Sequence, residues 1–199
     1  VTYVNNTLLP PGIEALALGS GFNYLMVYGS DIDNVLTGNE FNNELLGLAG
    51  NDRLLGGIGI DRLEGGAGID TLYAGDGNDA LFGHEGQDRL EGEAGDDRMF
   101  GGADNEVVIG GAGNDRAWGE NGDDLMFGGE GNDSFLGEFG NDRLFGENGD
   151  DDLFGGVGDV LDHGLELFGK FGVQSWIFQC LACAVEQCQC PRIKFNLAI

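Results

Sequence analysis

Apolar residues recur at every ninth position over most of this chain. Counted from Gly29 in steps of nine, fourteen consecutive copies run to Phe154 without insertion or deletion. Typical copies are GGIGIDRLE and GGAGNDRAW, which begin at Gly56 and Gly110. Position 8 of the copy is apolar throughout, and positions 1 and 4 are mostly glycine. A strict period of this length predicts stacked repeats, because one apolar residue per copy cannot be buried by that copy alone.

The pattern within one copy predicts a six-residue turn followed by a three-residue strand. Glycine is concentrated in the turn, where it allows backbone conformations that other residues avoid. Side chains alternate along a strand, so position 8 should face inward while positions 7 and 9 face outward. The predicted core is therefore a column of position-8 side chains shared by all copies.

Position 6 of the copy carries an acid or an amide in every case. Eleven copies have Asp, the two first copies have Asn34 and Asn43, and one has Glu106. The aspartates are Asp52, Asp61, Asp70, Asp79, Asp88, Asp97, Asp115, Asp124, Asp133, Asp142 and Asp151. Short carboxylates beside glycine-rich backbone are the kind of oxygen ligands that Ca²⁺ prefers.

The repeat resembles the RTX (haemolysin-type) calcium-binding nonapeptide, G-G-x-G-x-D-x-U-x, over residues 29 to about 163. The resemblance implies an all-β fold, a right-handed parallel β-roll in which two copies form one turn and Ca²⁺ ions lie between consecutive turns. Ligand loops would then be eighteen residues apart, which sorts the fourteen position-6 residues into two stacks. Counting adjacent Asp–Asp pairs, five in one stack and three in the other, predicts about eight good calcium sites.

The copy GGADNEVVI, residues 101–109, departs from the pattern twice. Asp104 replaces the glycine of position 4, and Glu106 replaces the aspartate of position 6. One interpretation is a weakened calcium site in that stack, because Glu106 reaches one methylene further. The alternative is that Asp104 adds a ligand.

Charge changes the picture further. The chain carries 35 acidic and 9 basic residues, a formal net charge of −26, which argues against a nucleic-acid partner. Such self-repulsion should keep the chain unfolded at micromolar calcium and let it fold where calcium is millimolar. The resemblance thus implies a calcium-dependent folding and secretion module of a bacterial protein, exported by type I secretion machinery to the outside or the cell surface.

The outward positions raise a second hypothesis. Position 9 holds Tyr73, Phe82, Phe100, Trp118, Phe127, Phe145 and Phe154. Aromatic ladders that shield the thin roll are one interpretation, with the position-7 arginines lying over the rings or pairing with acids. Docking of a parent domain, or of a glycan by an adhesive or carbohydrate-binding module, is the alternative.

Catalytic motifs are incomplete. His84-Glu85 opens like HExxH but is followed by Asp88 where the second histidine would stand, and Gly164 to Lys170 spells GxxxxGK without the required Ser or Thr. We therefore expect no enzyme activity in this segment, and any catalysis would belong to another domain of a parent protein.

Composition divides the chain into three parts: lead-in or capping strands at 1–28, the calcium-binding roll at 29–163, and a tail at 164–199. The tail holds all four cysteines, at 180, 183, 188 and 190, and lacks the acidic repeat. A zinc site, disulfides, a hydrophobic cap, a secretion signal and an aberrant end all remain open for it. No segment has the roughly 20 apolar residues of a membrane span, and no N-terminal signal peptide is visible.

Overall fold

The computed structural model of the protein describes residues 7–8, 14–19 and 25–157. All regular structure in that part of the chain is β-strand, arranged as one nine-stranded and one eight-stranded sheet. The strands are β1 (Thr7–Leu8), β2 (Ala15–Ala17), β3 (Leu25–Ser30), β4 (Val35–Thr37), β5 (Asn43–Ala49), β6 (Arg53–Ile58), β7 (Arg62–Ala67), β8 (Thr71–Asp76), β9 (Ala80–Glu85), β10 (Arg89–Ala94), β11 (Arg98–Ala103), β12 (Val107–Ala112), β13 (Arg116–Asn121), β14 (Leu125–Glu130), β15 (Ser134–Phe139), β16 (Arg143–Asn148) and β17 (Asp152–Phe154).

Successive strands alternate between the two sheets. Odd-numbered strands form the nine-stranded sheet and even-numbered strands form the eight-stranded sheet, all in parallel. Leu90 of β10 pairs with Leu72 of β8 and with Val108 of β12, each eighteen residues away. Two nonapeptides therefore make one turn, and the predicted parallel β-roll of about seven turns is confirmed.

The described residues of the predicted lead-in continue this architecture. β1 pairs with β3 and β2 with β4, in both cases twenty residues apart rather than eighteen. The boundary of the lead-in at residue 28 stays a prediction. The end of the predicted repeat region, 158–163, and every prediction for the tail 164–199, lie outside the described residues. Within the part of the chain that is described, no helix is both long enough and apolar enough to cross a membrane.

The core is the predicted column of position-8 side chains. Thirteen of the fourteen, from Leu36 to Leu144, have no exposed surface, and Leu153 in the last copy is partly buried. The flanking positions 7 and 9 are exposed or half-buried, as their alternation requires. The buried position-8 side chains belong to one hydrophobic cluster, so the core is continuous along the roll.

The strands are longer than the sequence predicts. Pairing does not end at position 9 but resumes after position 1, as shown by Glu93 of β10 opposite Gly111 of β12. The strands therefore span positions 7 to 3, and only positions 4 to 6 form the connecting turns. The reason is that every turn repeats the same backbone path, so N–H and C=O groups beyond position 9 also find partners in the neighbouring turns.

The outward aromatic residues form stacked columns, as one of the two interpretations predicts. On the nine-stranded sheet, Phe82 and Phe100 lie 4.9 Å apart between ring centroids and Phe100 and Trp118 lie 4.6 Å apart, with nearly parallel planes. The Arg62 guanidinium lies 4.2 Å from the Phe82 centroid and closes that end of the column. Stacking uses the ring faces for one another, which leaves mainly ring edges for an external ligand.

Candidate calcium sites at the two edges of the roll

The position-6 residues lie at the turns between the two sheets, in two stacks along opposite edges of the roll. Turns from the eight-stranded into the nine-stranded sheet form the first edge, with Asn43, Asp61, Asp79, Asp97, Asp115, Asp133 and Asp151. Turns in the reverse direction form the second edge, with Asn34, Asp52, Asp70, Asp88, Glu106, Asp124 and Asp142. The structure thus brings together the residues that the eighteen-residue rule groups.

One carboxylate oxygen of each aspartate ties adjacent turns together. The Asp97 main-chain N–H donates to Asp115 Oδ1 at 2.8 Å, and the Asp52 N–H donates to Asp70 Oδ1 at 2.6 Å. The same bond recurs along both edges, always from a position-6 N–H to the position-6 oxygen of the next turn. A charge-assisted bond of this kind fixes the orientation of each buried carboxylate.

The other oxygen, Oδ2, is buried and has no hydrogen-bond partner in any of the eleven aspartates. Glu106 has no partner for either of its carboxylate oxygens. Glu106 and ten of the eleven aspartates, all except Asp151, are between 1% and 9% exposed. A buried acceptor without a donor is costly, and a buried unpaired charge costs more, so each of these oxygens calls for a proton or a cation.

Main-chain oxygens converge on the same places. A Cβ built on Gly56, at position 1, would lie 2.5 Å from Asp61 Oδ2 and 2.5 Å from the Ala74 carbonyl oxygen of the next turn. Two acceptors therefore face the space that glycine leaves, and the carboxylate oxygen of the two, Asp61 Oδ2, has no donor. Ca²⁺ takes six to eight oxygens and accepts carboxylate and carbonyl ligands together. The residues present fit calcium.

These sites differ from sites built on side chains alone. Among the described residues no three His, Cys, Asp or Glu side chains converge on one point. Each connecting turn supplies one buried acid, that of position 6, so main-chain carbonyl oxygens would have to provide further ligands. That requirement explains why acid and glycine must recur together at positions 1, 4 and 6.

Burial also shifts the acid–base behaviour of the aspartates. Desolvation raises the pKa of Asp52 and Asp61 to about 7 and that of Asp97 to about 8, even though the neighbouring main-chain N–H lowers each of them. Desolvation and the nearby Asp124 carboxylate raise the pKa of Glu106 to about 10. Without a cation, the folded roll therefore favours protonated carboxyl groups.

Asn34 and Asn43 occupy the first places in the two stacks, but their side chains are engaged locally. Asn34 Oδ1 accepts the Ser30 N–H at 2.7 Å, and Asn43 Oδ1 accepts the Asn39 N–H at 2.8 Å. They satisfy the backbone at the start of the regular turns. A ligand role for these two amides stays a prediction.

Position 5 carries a second ladder that the sequence analysis does not predict. Asn114 Oδ1 accepts the Asn132 N–H at 2.9 Å, and Asp96 Oδ1 accepts the Asn114 N–H at 2.8 Å. This ladder runs opposite to that of position 6, because each side chain accepts from the following turn. It is interrupted where position 5 is Ile60, Ile69 or Gln87. The signal was available, since most copies have Asn or Asp at position 5.

The second ladder gives a direct stability prediction. Asn114→Ala removes the acceptor for the Asn132 N–H and the donor to Asp96 Oδ1 at 3.1 Å. We expect a loss of about 1 kcal/mol in the free energy of unfolding in calcium, measured by urea denaturation. Gln87→Ala is the matched control, because Gln87 is an exposed position-5 amide outside the ladder. Equal effects of the two substitutions would contradict a stabilising ladder.

Comparison with known proteins agrees with this geometry. The family model described as RTX calcium-binding nonapeptide repeat (4 copies) matches residues 28–63, 55–90, 80–105, 100–135 and 127–160. A comparison with curated proteins gives no match. The matched stretches together cover residues 28–160, which include both stacks of position-6 residues. The chain belongs to the family of RTX calcium-binding nonapeptide repeat proteins.

Proposed function

We propose that this chain is a calcium-dependent folding module, which forms its β-roll by binding Ca²⁺ along both edges. The observation that carries the proposal is the unpartnered, buried carboxylate oxygen in every turn from Asp52 to Asp151. A protein that folded without a cation would have to leave these groups unsatisfied or hold them protonated. The RTX repeat itself is a structural calcium-binding repeat rather than a catalytic one.

Charge supports the same conclusion. The formal net charge is −26, and the described turns place acids eighteen residues apart in sequence next to each other in space. Divalent cations between the turns would neutralise that repulsion and satisfy the free oxygens together. Folding and calcium binding are then one equilibrium.

The free energy of calcium binding is large enough to switch the chain between unfolded and folded states. Extracellular calcium modules bind at about 10⁻⁴–10⁻³ M, so at about 10 mM calcium each site would add about 1.5–2.5 kcal/mol. About eight sites, formed by the adjacent Asp–Asp pairs, would add on the order of 15 kcal/mol, which is comparable to the total stability of a domain. At micromolar calcium the same contribution is close to zero.

A biological setting follows from this dependence. Proteins with RTX repeats are typically secreted bacterial proteins. We place this chain outside the cell or on its surface, reached through type I secretion machinery as an unfolded chain. Any enzymatic or toxic activity would then belong to another domain of a parent protein, for which the roll provides calcium-triggered folding.

The test is a calcium titration of the full chain, from chelator to 10 mM, followed by far-UV circular dichroism and by the fluorescence of Trp118 and Trp176. We expect a cooperative gain of β signal in the millimolar range. Mg²⁺ at the same concentrations is the control and should give little change, since it demands a smaller octahedral shell. A chain that is already folded in chelator at about pH 8, where the carboxyl groups of the unfolded chain are ionised, would refute the proposal.

A further inference from the structure

The turn that contains Glu106 offers more free oxygen than any other turn in the described chain. Every position-6 aspartate uses Oδ1 for the N–H of the preceding turn and keeps only Oδ2 free. Glu106 is 1% exposed, and both of its carboxylate oxygens are free. Unlike the aspartates, the longer Glu106 side chain therefore accepts no main-chain hydrogen bond from the preceding turn.

The reason is visible in the neighbouring turns. By the rule of the ladder, the Asp88 N–H would donate to the side chain of residue 106, but Glu106 accepts no hydrogen bond. The main chain of Glu106 still keeps its own place in the ladder and donates to Asp124 Oδ1 at 2.8 Å. The backbone of this turn is therefore regular, and only the Glu106 side chain leaves the ladder. Its carboxylate accepts no main-chain N–H.

The released carboxylate lies beside another free oxygen. The carboxyl groups of Glu106 and Asp124 are close enough to share a hydrogen bond when Glu106 carries a proton. Asp124 Oδ1 is occupied by the Glu106 N–H, while Asp124 Oδ2 is free. When both groups are ionised, this pair of turns therefore has three carboxylate oxygens without a donor, whereas an Asp–Asp pair has two.

We propose that Glu106 binds its calcium ion with both carboxylate oxygens, so that this turn forms a calcium site distinct from the aspartate sites. The inference rests on the proposed function, since it concerns how one residue holds the same ion. Bidentate carboxylates suit the large, flexible shell of Ca²⁺ and not the compact octahedral shell of Mg²⁺. The Glu106 turn is then the most calcium-selective point of the second edge, rather than a defect in it.

The direct test is infrared difference spectroscopy of the full chain labelled with ¹³C-carboxylate glutamate, with and without calcium. The separation of the two carboxylate stretching bands distinguishes bidentate from monodentate ligands. We expect one bidentate glutamate signal in the original chain and none in Glu106→Asp. Glu120→Asp is the matched control. It makes the same chemical change at a half-buried position away from the stacks, so the bidentate glutamate signal should remain.

A binding measurement accompanies the spectra. Calorimetric titration of Glu106→Asp should show one calcium site weakened by about tenfold, or about 1.4 kcal/mol, with Mg²⁺ competing more effectively there. Glu106→Asp restores the residue found in eleven other copies, so the variant should fold in calcium.

The outcomes separate the two proposals. Calcium-dependent folding without a bidentate glutamate signal, or with a signal that persists in Glu106→Asp, would overturn the assignment of Glu106 and leave the proposed function intact. If the original chain neither binds calcium nor gains β signal, both fail together.

Discussion

In chelator, the calcium-free chain should gain β-structure when the pH is lowered from about 8 to about 5. The carboxyl groups at position 6 have folded-state pKa values raised by burial from 3.8 to about 7 in Asp88 and about 6 in Asp115. The folded roll therefore binds more protons than the unfolded chain between pH 4 and 8, and its stability falls as the pH rises through that range. Burial raises the pKa of ten position-6 aspartates and of Glu106 in the same direction, so their contributions to this pH dependence reinforce one another.

Far-UV circular dichroism at a series of pH values, with and without chelator, checks this prediction. In saturating calcium the dependence should reverse, because protons then compete with the ion for the same oxygens. A chelated chain whose β signal is the same at pH 5 and pH 8 would show that these carboxyl groups do not control folding.

Two adjacent aspartates provide a matched pair for the same experiment. Asp97→Asn removes a buried acid whose pKa is raised to about 8, so it should stabilise the chelated roll at pH 8 and weaken calcium binding. Asp96→Asn changes the exposed neighbour, whose pKa is lowered because it accepts hydrogen bonds from the Asn114 main chain and side chain. It should do neither. Similar effects of both substitutions would point to net charge instead of burial.

A methyl group at position 4 should be the most damaging small substitution. Gly131 has φ of 134°, and a Cβ built there would overlap the main-chain oxygen of Gly113 in the preceding turn. The Gly131 N–H also donates to the Asn148 carbonyl oxygen at 2.9 Å. We expect Gly131→Ala to cost at least about 3 kcal/mol in the free energy of unfolding and to raise the calcium concentration needed for folding.

The chain itself shows what such a side chain costs. Asp104 is the one residue other than glycine at position 4 from Gly50 onward, and its φ has moved to 82°. The position-4 N–H bond to the next turn, present in the copies on either side, is not formed by Asp104 within the described residues.

Position 2 provides the control, because it accepts side chains without losing its pairing. Glu93 and Glu147 occupy it with φ of 71° and 67° and keep their strand partners. A Cβ built on Gly129, opposite Glu147, would also overlap a main-chain oxygen, that of Gly111, so the backbone would have to relax to a smaller φ such as those of Glu93 and Glu147. Gly129→Ala should therefore be destabilising, but less so than Gly131→Ala. The two variants are compared by urea denaturation in calcium. An equal loss at Gly129 and Gly131 would contradict a special requirement at position 4.

The sequence is most informative where the repeat itself carries the signal. Leu72, Leu90 and Val108 share position 8, and their periodicity alone predicts a common core. The eighteen-residue register is what the RTX resemblance adds, because it implies two copies per turn. The two stacks of position-6 acids follow from the same arithmetic once the RTX resemblance is applied. These features depend on which residue recurs, which the sequence states directly.

Other features depend on contacts between turns and were not predictable in the same way. The continuation of strands past position 9 arises because Glu93 finds its partner in Gly111 of another turn. The two released oxygens of Glu106 depend on where one methylene places a carboxylate relative to the Asp88 N–H. Asn114 and Asn132 were visible as a recurring residue type, but the direction of their hydrogen bond is a property of the stacked backbone.

The alternation of strands between two sheets constrains how such a chain can change length. Inserting or deleting eighteen residues adds or removes a whole turn and leaves every later residue on its own sheet and edge. Inserting or deleting nine residues would exchange the sheets for everything downstream. Removal of residues 110–118, for example, would place Phe127 in line with Phe100 and set Asp124 against Asp97. We therefore expect the number of repeats to vary by pairs of copies, and single-copy insertions or deletions to be confined to the ends of the array.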